Sequence, residues 1–270
     1  MNNNHINNMS AADFLIPVSA HIGSSIIFLE EVGSTNDYAK DMGASGAPSG
    51  SVVIADKQLA GKGRLGRSWD DGEGKDIYMT ILLRPEISGE AAARLTLLAG
   101  VCVAKVLNEI SPKKAAIKWP NDVVMNSKKI CGILTESAFI GGTIDYTVVG
   151  IGVNINRQSF PDELKDKATS LYLENDKLYS REVIIKQILN LFEKYYAEFL
   201  ENGIASFIDE YRSLCVTLGK TVAIYENDVS YKAQAIGISD TGALEIVAED
   251  GNRRIIESGE VSVRGIYGYV

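Results

Sequence analysis

The stretch Gly61-Lys62-Gly63-Arg64-Leu65-Gly66-Arg67-Ser68-Trp69 places three glycines and three cations within seven residues, Gly61 to Arg67. How the chain leaves this stretch decides the fold. Gly61-x-Gly63-x-x-Gly66 matches the dinucleotide fingerprint, which needs a helix to open at the glycines so that a pyrophosphate meets its N-terminus. Residues 67–75 are instead rich in Gly, Asp and Ser, and the next regular segment, residues 77–83, is an apolar run of strand length closed by Pro85. Another apolar run, residues 51–56, leads into the glycines. The stretch therefore joins two strands. Glycine lets a backbone approach a ligand closely, and Arg and Lys bind carboxylate and phosphate oxygens. The loop is a candidate anion receptor; on these residues alone a solvated turn with incidental charges is the alternative.

Working outward, residues 24–28 read as a short strand, and Ser34 with Asp37 reads as a helix N-cap. Residues 44–50 form a Gly/Pro/Ser loop. Residues 90–110 carry Leu95, Leu98, Val101, Ala104 and Leu107 at helical spacing and read as one helix. Residues 115–125 read as a strand interrupted by Trp119-Pro120-Asn121-Asp122. Two further strands, 128–139 and 143–156, are joined at Gly141-Gly142. Residues 181–200 form a long helix with Val183, Ile184, Ile188, Leu191, Phe192 and Tyr195 on one stripe, and 204–214 a short one. Beyond residue 216 the pattern changes to short strands over 219–226, 229–238, 243–248 and 252–263, the signature of a small β-barrel. The reading is a disordered tail over 1–20, a main domain over 21–215 and a small β-domain over 216–270.

Composition narrows the function. The chain has 270 residues, 27 Lys+Arg against 35 Asp+Glu, and a net charge of -8, which argues against a general affinity for nucleic acid or anionic membrane. Three scattered cysteines without a C-x-x-C pair fit a reducing compartment and no disulfide framework. Both histidines, His5 and His21, lie near the N-terminus, which argues against a His-rich metal site or a Ser/His or Cys/His catalytic pair. The Asn-rich start lacks the features of a signal peptide, and no apolar run approaches the span of a bilayer. The expectation is a cytoplasmic protein.

Three more stretches stand out. Lys118-Trp119-Pro120-Asn121-Asp122 puts a lysine and a tryptophan at a broken strand end. Gly132 within Lys129-Ile130-Cys131-Gly132-Ile133-Leu134 marks a bulge or a close approach. Gly150-Ile151-Gly152-Val153-Asn154 repeats that signature. Taken together, in this order, they resemble the biotin protein ligases (biotin–[acetyl-CoA-carboxylase] ligases). Residues 61–69 look like the family's glycine/arginine-rich biotin loop, and 118–122 reproduce its KWPND motif. Residues 129–134 and 150–154 resemble its K-x-x-G-I-L and G-x-G-x-N segments. Ser34-Thr35-Asn36, Gln58 and Ala168-Thr169-Ser170-Leu171 also match, over about residues 24 to 265.

The resemblance implies an α+β fold: a mixed β-sheet flanked by helices, of the class II synthetase-like kind, with a small C-terminal SH3-like β-barrel. It implies ATP-dependent biotinylation of a lysine on a biotin carboxyl carrier domain through biotinyl-5′-AMP, with ATP and Mg²⁺ as cofactors. Carried over residue by residue, Lys118 and Arg64 are catalytic. Ser34, Thr35, Asn36, Gln58, Gly61, Lys62, Gly63, Arg64, Lys118 and Gly132 bind biotin. Gly132 leaves room for it against the strand. Arg64, Arg67, Trp69, Asn121 and Asn154 bind the nucleotide, with Trp69 covering the adenine. No metal ligands are assigned. Lys62 stands where many relatives carry Arg and loses the bidentate fork. Residues 1–23 are too few for the winged-helix domain of the DNA-binding members, so the expectation is the monofunctional type with no DNA partner. A homodimer is one arrangement the resemblance allows. The weighed alternatives are a lipoate-type protein ligase and a nucleic-acid-binding regulator using the basic loop.

Overall fold

The computed structural model describes residues 9–14, 21–72, 74–226, 229–257 and 262–265. Strand β1 (Ser25–Val32) crosses over through helix α1 (Thr35–Ala44) to lie parallel to β2 (Ser51–Gln58). All other pairings of the sheet are antiparallel: β2 with β3 (Ile77–Leu83), β3 with β7 (Thr143–Val153), β7 with β6 (Lys128–Ile140), β6 with β5 (Asp122–Met125), and β5 with β4 (Ala115–Lys118). The result is a seven-stranded mixed sheet in the order β1-β2-β3-β7-β6-β5-β4.

The two faces follow from register, because residues directly opposite on paired strands share a face. Ile54, Met79, Ile151 and Ile133 form one row and belong to the main core, together with α3 (Leu95–Ile110) and α5 (Arg181–Asn202). Val53, Leu82 and Val148 lie on the other face, where Ala39 of α1 packs over them. This second face carries Gly132 paired with Gly152 and Leu134 paired with Gly150. The missing side chains leave a depression, and the connection between β2 and β3 passes over it.

Strands β8 (Thr221–Glu226), β9 (Val229–Ile238), β10 (Leu244–Ala248), β11 (Arg253–Ile256) and β12 (Ser262–Gly265) form a second, antiparallel sheet in the order β11-β10-β9-β8-β12. It meets the rest through directed bonds: Trp119 Nε1 donates to Gly242 O at 3.0 Å, Arg94 Nε to Thr241 O at 3.0 Å, and Arg212 Nε to Ile238 O at 2.9 Å. The α+β arrangement with a small C-terminal β-domain is thus as expected.

Several local readings change. Residues 115–125 are a hairpin of two strands, because Trp119 to Asn121 turn the chain and bring Lys118 opposite Asp122. The helix over 90–110 is two, α2 (Gly89–Ala93) and α3, divided at Arg94, where the bonding tightens (Arg94 N to Ala91 O, 3.1 Å). The expected strand 252–263 is two strands, and residues 258–261 between them lie outside the described residues, as does most of the turn at Glu226-Asn227-Asp228. Val183 is half-exposed; Ile185 and Leu189 take its place on the buried stripe of α5. Ser34 occupies the N-cap position of α1 without a side-chain capping bond. The tail expected over 1–20 is partly structured: Ala11–Phe14 is a 3-10 turn, and Phe14 is buried and stacks on Phe28. Residues 1–8 and 15–20 lie outside the described residues.

Candidate active site

The depression is a narrow cleft with about 50 Å³ of free space beneath the hairpin, less than the roughly 300–1,000 Å³ of open small-molecule sites. Its lining joins the start of α1 (Ser34, Thr35, Asn36), the end of β2 (Gln58), the loop (Lys62, Gly63, Arg64, Trp69), the turn at Asn121, and β6 and β7 around Gly132, Leu134, Gly150 and Gly152. Lys129 lines it as well.

One end is a buried polar cluster. Gln58 Oε1 accepts from Thr35 N at 2.8 Å and Thr35 Oγ1 at 2.9 Å. Thr80 Oγ1, on β3, lies 2.9 Å from Thr35 Oγ1 and 2.8 Å from Asn36 Oδ1. Asn36 Nδ2 donates to Leu134 O at 3.2 Å and Glu136 Oε2 at 2.8 Å. Asn36 therefore lines the cleft with its carboxamide bonded to protein at both ends, and Gly150 makes room for it: a Cβ there would sit 2.0 Å from Asn36 Oδ1. Thr80 is a member that sequence reasoning missed. Its signal was a single threonine in a strand otherwise made of Ile, Tyr, Met and Leu.

The loop is a small hairpin. Trp69 N donates to Gly61 O at 2.8 Å and Gly63 N to Arg67 O at 2.7 Å, with Lys62 bridged to Ser68. Leu65 (φ 56°) and Gly66 (φ 71°) turn the tip in left-handed conformations, a cost that glycine avoids and leucine does not. Gly61 lets the two arms meet, since a Cβ would lie 2.7 Å from Trp69 O. The three cations diverge. Lys62 Nζ turns to Asp37 of α1 at 2.6 Å. Arg64 Nη1 donates to Asn121 Oδ1 at 3.2 Å, inside the cleft. Burial pulls the Arg64 guanidinium below its usual range; Asp122 resists this and Arg67 adds to it. Arg67, expected at the nucleotide, is exposed and not among the lining residues.

Register carries Lys118 to the same face. Lys118 pairs with Asp122, Asp122 with Gly132, Gly132 with Gly152, and Gly152 with Tyr78. Lys118 is 7 % exposed and sits one strand behind the lining residues. The space above Gly132 is not open, contrary to expectation. A Cβ there would lie 2.5 Å from the Trp69 ring and 3.1 Å from Lys129 Nζ, and one at Gly152 would lie 2.8 Å from the same ring. Trp69 thus rests on two bare stretches of strand. Its indole N–H is buried without an acceptor among the described residues, which costs about 1–3 kcal/mol until an acceptor arrives.

Asn154 is also placed differently from expectation. It is buried behind the cleft, where Nδ2 donates to Thr169 O at 2.9 Å and its carbonyl accepts from Leu171 N at 3.2 Å. It anchors the segment at 168–171 to the end of β7.

Fold and site together define a ligase-type catalytic domain: a mixed sheet backed by helices, a cationic hairpin over its bare face, and a small β-domain attached. Residues 28–154 match the model of the biotin/lipoate A/B protein ligase family, and residues 217–264 match the biotin protein ligase C-terminal domain. The bifunctional ligase/repressor BirA of Bacillus spizizenii is 36% identical over 236 residues, covering 87% of this chain and 73% of that protein. The biotin–[acetyl-CoA-carboxylase] ligase of Paracoccus denitrificans is 31% identical over 242 residues, covering 88% of this chain and 100% of the relative. The biotin protein ligase of Aquifex aeolicus, solved in complex with biotin and ATP, superposes with a TM-score of 0.77 at 32% identity, covering 89% of this chain and 99% of that one. This chain belongs to the biotin protein ligase family.

Proposed function

We propose that the cleft binds biotin and ATP, forms biotinyl-5′-AMP, and transfers biotin to a lysine of a biotin carboxyl carrier domain. The observation that carries this reading is the union of two unlike halves in one cleft. A buried polar cluster (Thr35, Gln58) faces a set of cations (Arg64, Lys129, and Lys118 behind them) across bare glycine backbone. The first suits a neutral polar head, because a site built on hydrogen bonds rejects ligands that cannot make them. The second suits the meeting of two anions.

In the first half-reaction a carboxylate oxygen of biotin attacks the α-phosphorus. The new C–O–P linkage forms as the bond to the β-phosphate oxygen breaks, and pyrophosphate leaves with that electron pair. Two negative charges about 4 Å apart repel by about 4 kcal/mol at an effective dielectric near 20. Lys118, on the cleft face and largely out of water, is the cation that offsets this, with Arg64 reaching in from the hairpin. In the second half-reaction the amine of the carrier lysine attacks the acyl carbon and AMP leaves. No covalent enzyme intermediate is required. The three cysteines are buried free thiols; burial pushes the Cys102 and Cys131 thiols well above their ordinary range.

Mg²⁺ enters this reading with the nucleotide. Among the described residues no group of three or more His, Cys, Asp or Glu is placed to hold a metal; Mg²⁺ would be held by phosphate oxygens and water with at most one or two carboxylates. When bound, the ion screens the departing pyrophosphate. The free thiols support a cytoplasmic setting, and the charge of -8 supports function without DNA. Among the described residues no helix is long and apolar enough to cross a membrane. Ile117 of β4 is already bonded by Cys215 and Val216, so a homodimer paired through the central sheet would use the other edge, β1.

The test is incubation with ATP, Mg²⁺, biotin and a carrier domain. A mass gain of one biotinyl group on the carrier is expected, and none across several carriers would overturn the reading.

A further inference from the structure

The segment that leaves the hairpin carries a tie that the reaction above does not use. Arg157, four residues beyond β7, is buried, with a side chain 6% exposed. Its guanidinium grips two carboxylates. Nε and Nη2 lie 2.9 and 2.8 Å from Asp76 Oδ2, and Asp76 is fully buried. Nη1 pairs with the Asp70 carboxylate, and Nη2 donates to the Asp70 carbonyl at 3.0 Å. The Phe160 ring covers the guanidinium, its centre 4.8 Å from the central carbon. The base of this clamp is held by further bonds. Ile155 N donates to Asp76 Oδ1 at 2.9 Å, Asn156 N to Lys75 O at 3.0 Å, and Arg181 Nη1 to Asp76 O at 3.1 Å. Asp70 is the open end: it is 43% exposed and follows Trp69 directly.

The place of the Trp69 ring depends on that tie. Its N–H has no acceptor among the described residues, and the ring rests by contact on Gly132, Gly152 and the Lys129 ammonium. The ring therefore inherits its position from its backbone. On one side Trp69 N is bonded to Gly61 O within the hairpin. On the other, Arg157 holds both the carbonyl and the carboxylate of the next residue. A planar fork can grip both at once, which a lysine could not do.

We propose that Arg157 is a positioning residue for the nucleotide: through Asp70 it sets the Trp69 indole, ahead of binding, as the platform on which the purine ring of ATP stacks. A side chain ordered in advance is not ordered at the ligand's expense. The inference rests on the biotin and ATP reading above.

The tie is tested from its open end, because Asp70→Ala leaves the buried pair of Arg157 and Asp76 in place. In biotin-dependent exchange of radiolabelled pyrophosphate into ATP, Asp70→Ala is expected to raise the KM for ATP about 3- to 10-fold, the cost of ordering one large side chain on binding. The KM for biotin and the KM for pyrophosphate, which carries no ring, should stay near wild type. A carboxylate that touched the phosphates directly would act in the opposite sense, since its removal would relieve repulsion and lower the KM for ATP. Asp70→Glu should recover most of the loss. The deciding measurement is a double-mutant cycle with Trp69→Ala: once the ring is gone, Asp70→Ala should add nothing to the KM for ATP. An unchanged or lowered KM for ATP in Asp70→Ala, or additive effects in the double variant, would overturn the proposal. Should Asp70→Ala fail to fold, Asp70→Asn carries the same comparison. Failure of the wild-type protein to form adenylate would instead overturn the proposed function itself.

Discussion

The hairpin at residues 61–69 and the turn at 118–122 face each other across one cleft, and they are held in place by opposite means. The hairpin is tied mostly to itself, through Gly61 to Trp69 and Gly63 to Arg67, and its tip residue Leu65 is 56% exposed. The turn is held by its surroundings. Trp119 is 1% exposed, its backbone N–H donates to Thr217 Oγ1 at 3.0 Å and its indole to Gly242 O at 3.0 Å, so the C-terminal sheet grips it. Asn121 is bonded both ways to Ile133. The pairing teaches a division of labour. In the proposed reaction Lys118 sits on the rigid side, while Arg64 reaches in from a hairpin with few bonds to the rest of the fold.

The largest expected effect tests the rigid side. Trp119→Ala should destabilise the protein by about 3–5 kcal/mol, as for other buried aromatic truncations, while Leu65→Ala should fall within about 0.5 kcal/mol of wild type. Chemical denaturation of both variants measures the contrast, and similar values would break the comparison. Next comes Lys118→Ala, which should slow adenylate formation by about 10²–10³, the typical cost of one preorganised charge. Pyrophosphate exchange checks it, and a near-normal rate would remove Lys118 from the centre of the chemistry.

Arg64→Ala removes a cation from the hairpin side. It should speed the release of biotinyl-5′-AMP by about 10- to 100-fold while leaving the melting temperature close to wild type, measured by adenylate trapping and by thermal unfolding. The smallest effect concerns the tie from Lys62 to Asp37. Burial tends to raise the Asp37 pKa, but the Lys62 and Lys40 ammonium groups outweigh it and hold the carboxyl below its ordinary value of 3.8. Such a group contributes stability above that value and loses it as pH falls through the lower, folded pKa. Asp37→Asn should therefore cost about 0.2–1 kcal/mol near neutrality. The difference should fade at high salt and vanish in acid, as melting curves across pH would show.

Much of the site was legible because its chemistry needs special residues at fixed separations. The glycines at 61, 63, 132, 150 and 152 and the cations at 62, 64 and 118 mark themselves, since few other roles call for them in a strand or its loop. Thr80 and Asp37 gave weaker signals, one hydroxyl and one carboxylate whose partners lie far away in sequence. Arg67 and Asn154 show the converse. Both fit the motif by position, yet one side chain points out from the hairpin and the other is spent on Thr169.

What the sequence by itself determined is the order of strands and helices and the absence of a helix after the glycines. Those depend on hydrophobic period and local backbone preference, which act within a few residues. The three-dimensional structure alone decided that Lys118, Gly132 and Gly152 share one row, because strand register is set by packing across the sheet. It also decided that Trp69 and Lys129 fill the room above Gly132. A glycine announces that something will come close, and only the folded chain says what does.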